Sequence, residues 1–267
     1  MAIGATGHVL AGDRSGGAHD IVLRTTGLTW QVGGFTIVRD VELDVRAGEF
    51  MSIIGPNGAG KSTIINLLSG VHTPTGGLIE FGGHDVTTMR PALRTRRGMG
   101  RTFQTSSLFP GLTVHENARL AAQAALGGSG SLWRRPSARD AATARAHEML
   151  AEVGLDARSA EPVAGLNHGD KRKLEIAVVL CSDPQVLLLD EPTAGVSAEE
   201  VQPLVDVVRA VHARGRTVVM VEHRMELVTD MSDRIAVMHH GQLLVCDTPD
   251  VVMADPTVQS AYLGAEL

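Results

Sequence analysis

A chain of 267 residues with 24 basic and 30 acidic side chains, a formal charge of −6, offers no positive field, which argues against nucleic acid as a direct partner. Its 43% apolar content is ample for one large α/β core or two smaller ones. The two cysteines, Cys181 and Cys246, lie far apart and suit core positions in a reducing compartment better than a disulfide framework.

Residues 1–20 are rich in Gly and Ala but lack the positive start and apolar centre of a secretion signal, so they read as a disordered lead-in. No run approaches the roughly 18–20 apolar residues that span a bilayer, so any membrane connection is expected to go through another protein. Residues 21–43 are β-rich, with Gly33-Gly34 as a turn between Leu28-Thr29-Trp30 and Phe35-Thr36-Ile37-Val38. Phe50-Met51-Ser52-Ile53-Ile54 then reads as a short buried strand.

That strand runs into Gly55-Pro56-Asn57-Gly58-Ala59-Gly60-Lys61-Ser62, which fits the template G-x-x-x-x-G-K-[ST] without a mismatch. A triphosphate is gripped only where several backbone N–H groups converge on its oxygens, and the glycines let the chain come that close. Lys61 is the mobile cation for the β- and γ-phosphates, and the Ser62 hydroxyl is a ligand for Mg²⁺. With Thr63 following, a helix over 62–69, stopped by Gly70, points its positive end at the anion. A Gly-rich turn matching by chance is the competing reading, and the strand and helix on either side oppose it.

Beyond a strand and turn at 78–83, Gly100-Arg101-Thr102-Phe103-Gln104 is a loop whose Gln104 amide oxygen is a candidate metal ligand, or merely a solvated glutamine. Residues 115–183 turn Ala-rich and helix-favouring, interrupted at Gly127-Gly128-Ser129-Gly130 and Pro136, and predict a helical subdomain inserted into the α/β core. Within it Asn167 is placed to cap the helix-like run 171–180, with Asp170 completing something like a capping box and Gly169 permitting close approach. Val186-Leu187-Leu188-Leu189 reads as a buried parallel strand ending in Asp190, a partner for Mg²⁺, and Glu191, placed to polarise a water for attack on the γ-phosphate. An acidic helix cap is the competing reading. A helix at 198–213, strands at 217–221, 235–238 and 243–245, and His223 at a strand end complete the alternation.

Taken in order, these segments resemble the motifs of an ABC transporter ATP-binding subunit: the phosphate loop, the Gln104 loop, a signature at Leu166-Asn167-His168-Gly169-Asp170, the Asp190-Glu191 strand, a dimer-contact loop at Ala194-Gly195-Val196-Ser197, and the His223 switch. The resemblance covers about residues 21–264, leaving 265–267 as a tail. It implies a single P-loop NTPase domain with a β-rich N-terminal subdomain and an inserted helical one. It also implies two subunits sandwiching two ATP molecules, each between one phosphate loop and the facing signature, with Asn167, His168, Gly169 and Asp170 on the nucleotide and Lys61, Glu191 and His223 in the chemistry. Arg101-Thr102-Phe103-Gln104, Leu174-Glu175-Ile176-Ala177, Glu222-His223 with Met225, and Ala261-Tyr262-Leu263-Gly264 look like the branched-chain amino acid importers, with urea importers nearby. That branch implies two membrane permeases, a second homologous ATPase or a second copy of this chain, an external solute-binding protein, and a peripheral place on the cytoplasmic face of the bacterial inner membrane. Related lipopolysaccharide-export ATPases and non-transport ABC ATPases are the alternatives. Two departures stand out: Asp170 puts a carboxylate near an anion, and Val32 stands where the family has an aromatic residue for adenine, leaving Trp30 or Phe35 as substitutes.

Overall fold

The computed structural model describes residues 20–102, 108–127 and 140–263. The expectations for 1–19, Gln104 and the 265–267 tail therefore lie outside the described residues. Strands β1 (Ile21–Val32) and β2 (Phe35–Arg46) pair antiparallel around Gly33-Gly34, longer than the sequence suggests because β2 runs on through alternating Val41, Leu43 and Val45. After β3 (Phe50–Ile54) and α1 (Lys61–Leu68), the chain returns with β4 (Gly76–Phe81) and β5 (His84–Asp85) to complete a sheet ordered β2-β1-β4-β5.

The second sheet carries the function. Following α2 (Pro91–Arg96) come β6 (Met99–Arg101), then the helices α3 (Val114–Ala125), α4 (Ala141–Glu152) and α5 (His168–Leu180), then β7 (Val186–Asp190), α6 (Ala198–Ala213) and β8 (Thr217–Val221). The chain ends with α7 (Met225–Met231), β9 (Arg234–His239), β10 (Gln242–Asp247), α8 (Pro249–Ala254) and α9 (Pro256–Leu263). The sheet order is β10-β9-β3-β8-β7-β6, parallel except for the edge strand β10.

Period-two alternation divides the core. Met51, Ile53, Leu188, Val219 and Val221 face α1 and the first sheet, whereas Phe50, Leu187, Leu189, Val218 and Met220 face α3, α4, α5 and α6. The helices start at identifiable caps. Thr113 and Glu116 form a capping box at α3, Asp140 accepts from Thr143 N at 2.8 Å, and Asn167 accepts from Asp170 N at 2.7 Å.

Three expectations need correction. The cap at Asn167 starts α5 at His168 rather than at Lys171. The Asp170 carboxylate does not reciprocate as in a capping box, because Arg158 and Lys173 take it. Cys181 is buried, but Cys246 is only half-buried, its Sγ taking a hydrogen bond from Arg234 Nη2 at 3.1 Å. Burial pushes the two thiols up, to about 12 and about 11 respectively.

Candidate nucleotide site

Strands β6, β7, β8 and β3 are neighbours and parallel, so their carboxyl ends arrive at one edge of the sheet, where open α/β sheets receive ligands. Arg101, Asp190 with Glu191, Glu222 with His223, and the loop 55–60 all stand there because each ends one of these strands.

The loop's backbone is set by close approach. A Cβ at Gly55 would lie 2.2 Å from the Met238 carbonyl oxygen, and its φ of 152° is one that L side chains rarely adopt. Lys61 opens α1 with Nζ donating to the carbonyls of Gly55 at 2.8 Å and Pro56 at 3.1 Å, so its ammonium lies in the fold of the loop. Burial pulls that ammonium below its usual range, against the opposing charges of Glu191 and Asp190. Pro56 is half-buried, Asn57 and Gly58 are exposed, and Ala59 and Gly60 are buried; Ser62 and Thr63 occupy the first turn of α1.

Ser62 Oγ donates to Asp190 Oδ1 at 3.1 Å, joining the first turn of α1 to the end of β7. Burial pushes the Asp190 carboxyl up and Glu191 adds to this, while the Arg101 guanidinium and the Ser62 hydroxyl pull it back. Arg101 Nη2 lies 3.2 Å from Asp190 Oδ2, and its Nη1 donates at 2.7 Å to both Asn66 Oδ1 and Ser69 Oγ. A closed circuit results, in which the first and last turns of α1 are both fastened to one carboxylate. At the rear of α1, Arg94 is 1% exposed and donates to the carbonyls of Leu67, Leu68, Thr87 and Met89. Burial lowers this guanidinium to about 10, and it caps the negative end of the helix.

Glu191 follows Asp190 at a φ of 50°, its N–H donating to Val221 O at 2.9 Å, and Oε1 lies 3.0 Å from His223 Nε2. The switch histidine thus reaches the proposed base directly. Behind it Glu222, 3% exposed, accepts from His223 N at 2.7 Å, Arg224 N at 3.3 Å, Thr193 N at 3.2 Å and the Thr193 hydroxyl. Sequence reasoning gave no role to Arg101, Arg94 or Glu222. The signal for Arg101 and Glu222 was a charge at the end of a buried strand.

Asn167, His168, Gly169 and Asp170 lie at the start of α5, which packs with α3, α4 and α6, whereas Ala59 and Ile64 belong to the opposite cluster. The helices that the two groups open, α5 and α1, therefore bury their apolar faces in different cores. At the β1–β2 tip, beside the loop where Ile37 O would lie 3.1 Å from a Gly60 Cβ, Val32 and Phe35 are 51% and 74% exposed. Trp30 is stacked on His72 with ring centroids 4.6 Å apart and 10° between planes and packs partly buried against the core, so of the two aromatic candidates Phe35 is the more exposed.

Residues 38–194 match the ABC transporter family model, and residues 242–267 match a model for branched-chain amino acid ATP-binding cassette transporters. The high-affinity branched-chain amino acid transport ATP-binding protein LivG of Salmonella typhimurium is 37% identical over 249 residues, covering 91% of this chain and 98% of the relative. BraF of Pseudomonas aeruginosa, of the same description, is 37% identical over 250 residues with the same coverage. Among solved structures, the ADP conformation of an ATP-binding cassette of an ABC transporter superposes with a TM-score of 0.82 at 29% identity, over 92% of this chain and 99% of that one. A cbiO1 from Clostridium perfringens, part of the ABC transporter complex cbiONQ, gives 0.76 at 25% identity over 93% and 96%. With the phosphate loop, Asp190-Glu191 and His223 meeting at one sheet edge and a family model matching more than half of its length, this chain belongs to the ABC transporter family as an ATP-binding cassette ATPase.

Proposed function

We propose that the chain hydrolyses Mg²⁺-ATP to drive import of branched-chain amino acids or a related small polar solute through two membrane permeases. It does so at the cytoplasmic face of the bacterial inner membrane, in a system with an external solute-binding protein. The observation that carries the hydrolytic part is the row Lys61, Ser62–Asp190, Glu191–His223 along one sheet edge. The descriptions of LivG and BraF and the match over 242–267 support the solute class. Among the described residues no helix is long and apolar enough to cross a membrane, in keeping with an attachment made through permeases.

The residues fit the metal as well as the nucleotide. Ser62 Oγ and Asp190 Oδ1, hard oxygen donors 3.1 Å apart, are the ligand type that Mg²⁺ takes alongside phosphate oxygens. Gln104 is assigned to the same ion from its sequence position. Bound there, the ion would neutralise charge on the β- and γ-phosphates.

Backbone N–H groups of 57–63, at the loop and the start of α1, hold the phosphates, and Lys61 turns its ammonium from the loop carbonyls to the β- and γ-oxygens. Glu191 orients a water in line with the γ-phosphorus and takes its proton as the P–O bond to ADP breaks. His223 fixes the Glu191 carboxylate through the 3.0 Å contact. Asn167, His168, Gly169 and Asp170 close over the ATP of a facing subunit, either a second copy or a homologous ATPase.

Glu191→Gln tests this reading. The purified variant should hold ATP with wild-type affinity, lose turnover by about two orders of magnitude or more, and accumulate as an ATP-bound pair. Equal loss of binding and turnover would show Glu191 to be structural.

A further inference from the structure

Asp170 lies in the first turn of α5, where the helix offers free N–H groups and positive charge to an anion. A carboxylate there competes with an incoming phosphate unless something turns it aside and cancels it. The structure holds such a device. Arg158, at the end of the turn Asp156–Arg158 between α4 and α5, donates from Nη1 to Asp170 Oδ2. Its other two nitrogens are held by Glu161, Nε to Oε1 at 3.0 Å and Nη2 to Oε2 at 2.5 Å. Glu161 itself is anchored, its carbonyl accepting from Val114 N at 2.9 Å at the start of α3. The fork is thereby aimed, with Nη1 turned to Asp170. Lys173 adds a second cation, 3.4 Å from Asp170 Oδ1. Two positive and two negative side chains make the cluster neutral as built.

We infer that Arg158 is a positioning residue for the composite ATP site: it draws the Asp170 carboxylate sideways and cancels its charge, so that the start of α5 can receive the γ-phosphate carried by the facing subunit. This rests on the reading that a facing subunit closes the site. Without Arg158 the cluster carries a net negative charge and only Lys173 restrains Asp170. A charge-assisted contact of this kind is worth about one to two decades in an equilibrium constant, and that loss falls on pairing rather than on loading of the chain's own phosphate loop.

The experiment follows ATP-dependent pairing by light scattering, using the full chain with Glu191→Gln, alone and mixed with its second ATPase subunit. Adding Arg158→Ala should raise the ATP concentration for half-maximal pairing about ten- to a hundredfold, while binding of a fluorescent ATP analogue to the unpaired chain stays within about twofold. Adding Asp170→Asn to that variant should bring pairing back to within about threefold of the parent, because the charge that Arg158 cancelled is gone. A pairing midpoint unmoved by Arg158→Ala overturns the proposal. A defect that persists in the Arg158→Ala, Asp170→Asn double variant also overturns it, since Arg158 would then act through Glu161 and the fold. If the Glu191→Gln parent pairs at no ATP concentration in either mixture, the composite-site reading itself fails and takes the proposal with it.

Discussion

Replacing Arg101 with methionine keeps most of the side-chain volume and removes the charge that faces Asp190. Arg101 is 8% and Asp190 1% exposed at the side chain, so the pair is buried, and breaking such a pair from one side costs about 3–5 kcal/mol. Two neighbours lose a donor as well. Asn66 Oδ1 gives up a 2.7 Å contact, while the Ser69 hydroxyl still donates to Ile65 O at 2.7 Å, which limits its share. For a domain of this size each kcal/mol moves Tm by about 2–4 °C, so the nucleotide-free variant should melt about 10 °C lower. The loss should depend on ligand and on pH. If Asp190 holds the metal as proposed, Mg²⁺-ATP should place a divalent cation beside it and remove part of the deficit, whereas ATP with a chelator should leave it. Asp190 is already pushed up by burial, and losing Arg101 raises it further. A carboxyl whose folded pKa lies above its unfolded one keeps its proton longer in the folded state, so stability falls as pH rises between the two values. The deficit should therefore be larger at neutral pH than in mild acid. Circular dichroism melts under these conditions check each part. A fall of less than about 2 °C, or an equal fall in every condition, would refute the view that the guanidinium balances Asp190.

Two further substitutions probe groups that sequence reasoning passed over. Arg94→Met takes a donor from four carbonyls, two buried (Leu67, Leu68) and two half-buried (Thr87, Met89), of which Leu67 O keeps the Gly70 N–H at 3.1 Å, and should cost about 3–5 kcal/mol in urea denaturation, with no ligand-dependent recovery of the kind expected for Arg101. Glu222→Gln turns one acceptor oxygen into an NH₂ facing the N–H groups of Thr193 or His223; single-turnover measurements should show ATP bound normally and the chemical step slowed about ten- to a hundredfold.

The sequence was informative where one short window contained the whole pattern. The strand into loop 55–62 and the apolar run ending in Asp190-Glu191 are local statements, each combining a hydrophobic period with residues whose chemistry has few other uses. The charges that support them are not local. Arg101 meets Asp190 across 89 positions and Glu222 meets Thr193 across 29, so only the sheet order reveals their partners. Asp170 shows the same limit in reverse. The family resemblance sets it against an anion, and its neutralisation by Arg158 depends on how the turn between α4 and α5 folds back. Short elements such as β6, with three residues, are invisible to periodicity because no period completes within them.

The segment between β7 and α6 is held at both ends by different parts of the site. At its start, Glu191 reaches His223 and Thr193 is fastened to Glu222. At its end, the Ser197 hydroxyl donates to Glu200 Oε2 at 2.9 Å, and Glu200 packs on the signature so closely that a Cβ at Gly169 would lie 2.9 Å from Glu200 Cβ. A shift of α6 with α5 that is not absorbed between Thr193 and Ser197 is passed to Glu191. Gly195 is the residue there that can absorb it, with a φ of 74° and nothing within 4 Å of where its side chain would stand. A side chain at that position would stiffen the backbone that joins Glu191 to α6, the helix packed on Gly169, so its effect should fall on the coordination of pairing with hydrolysis and not on the affinity for ATP.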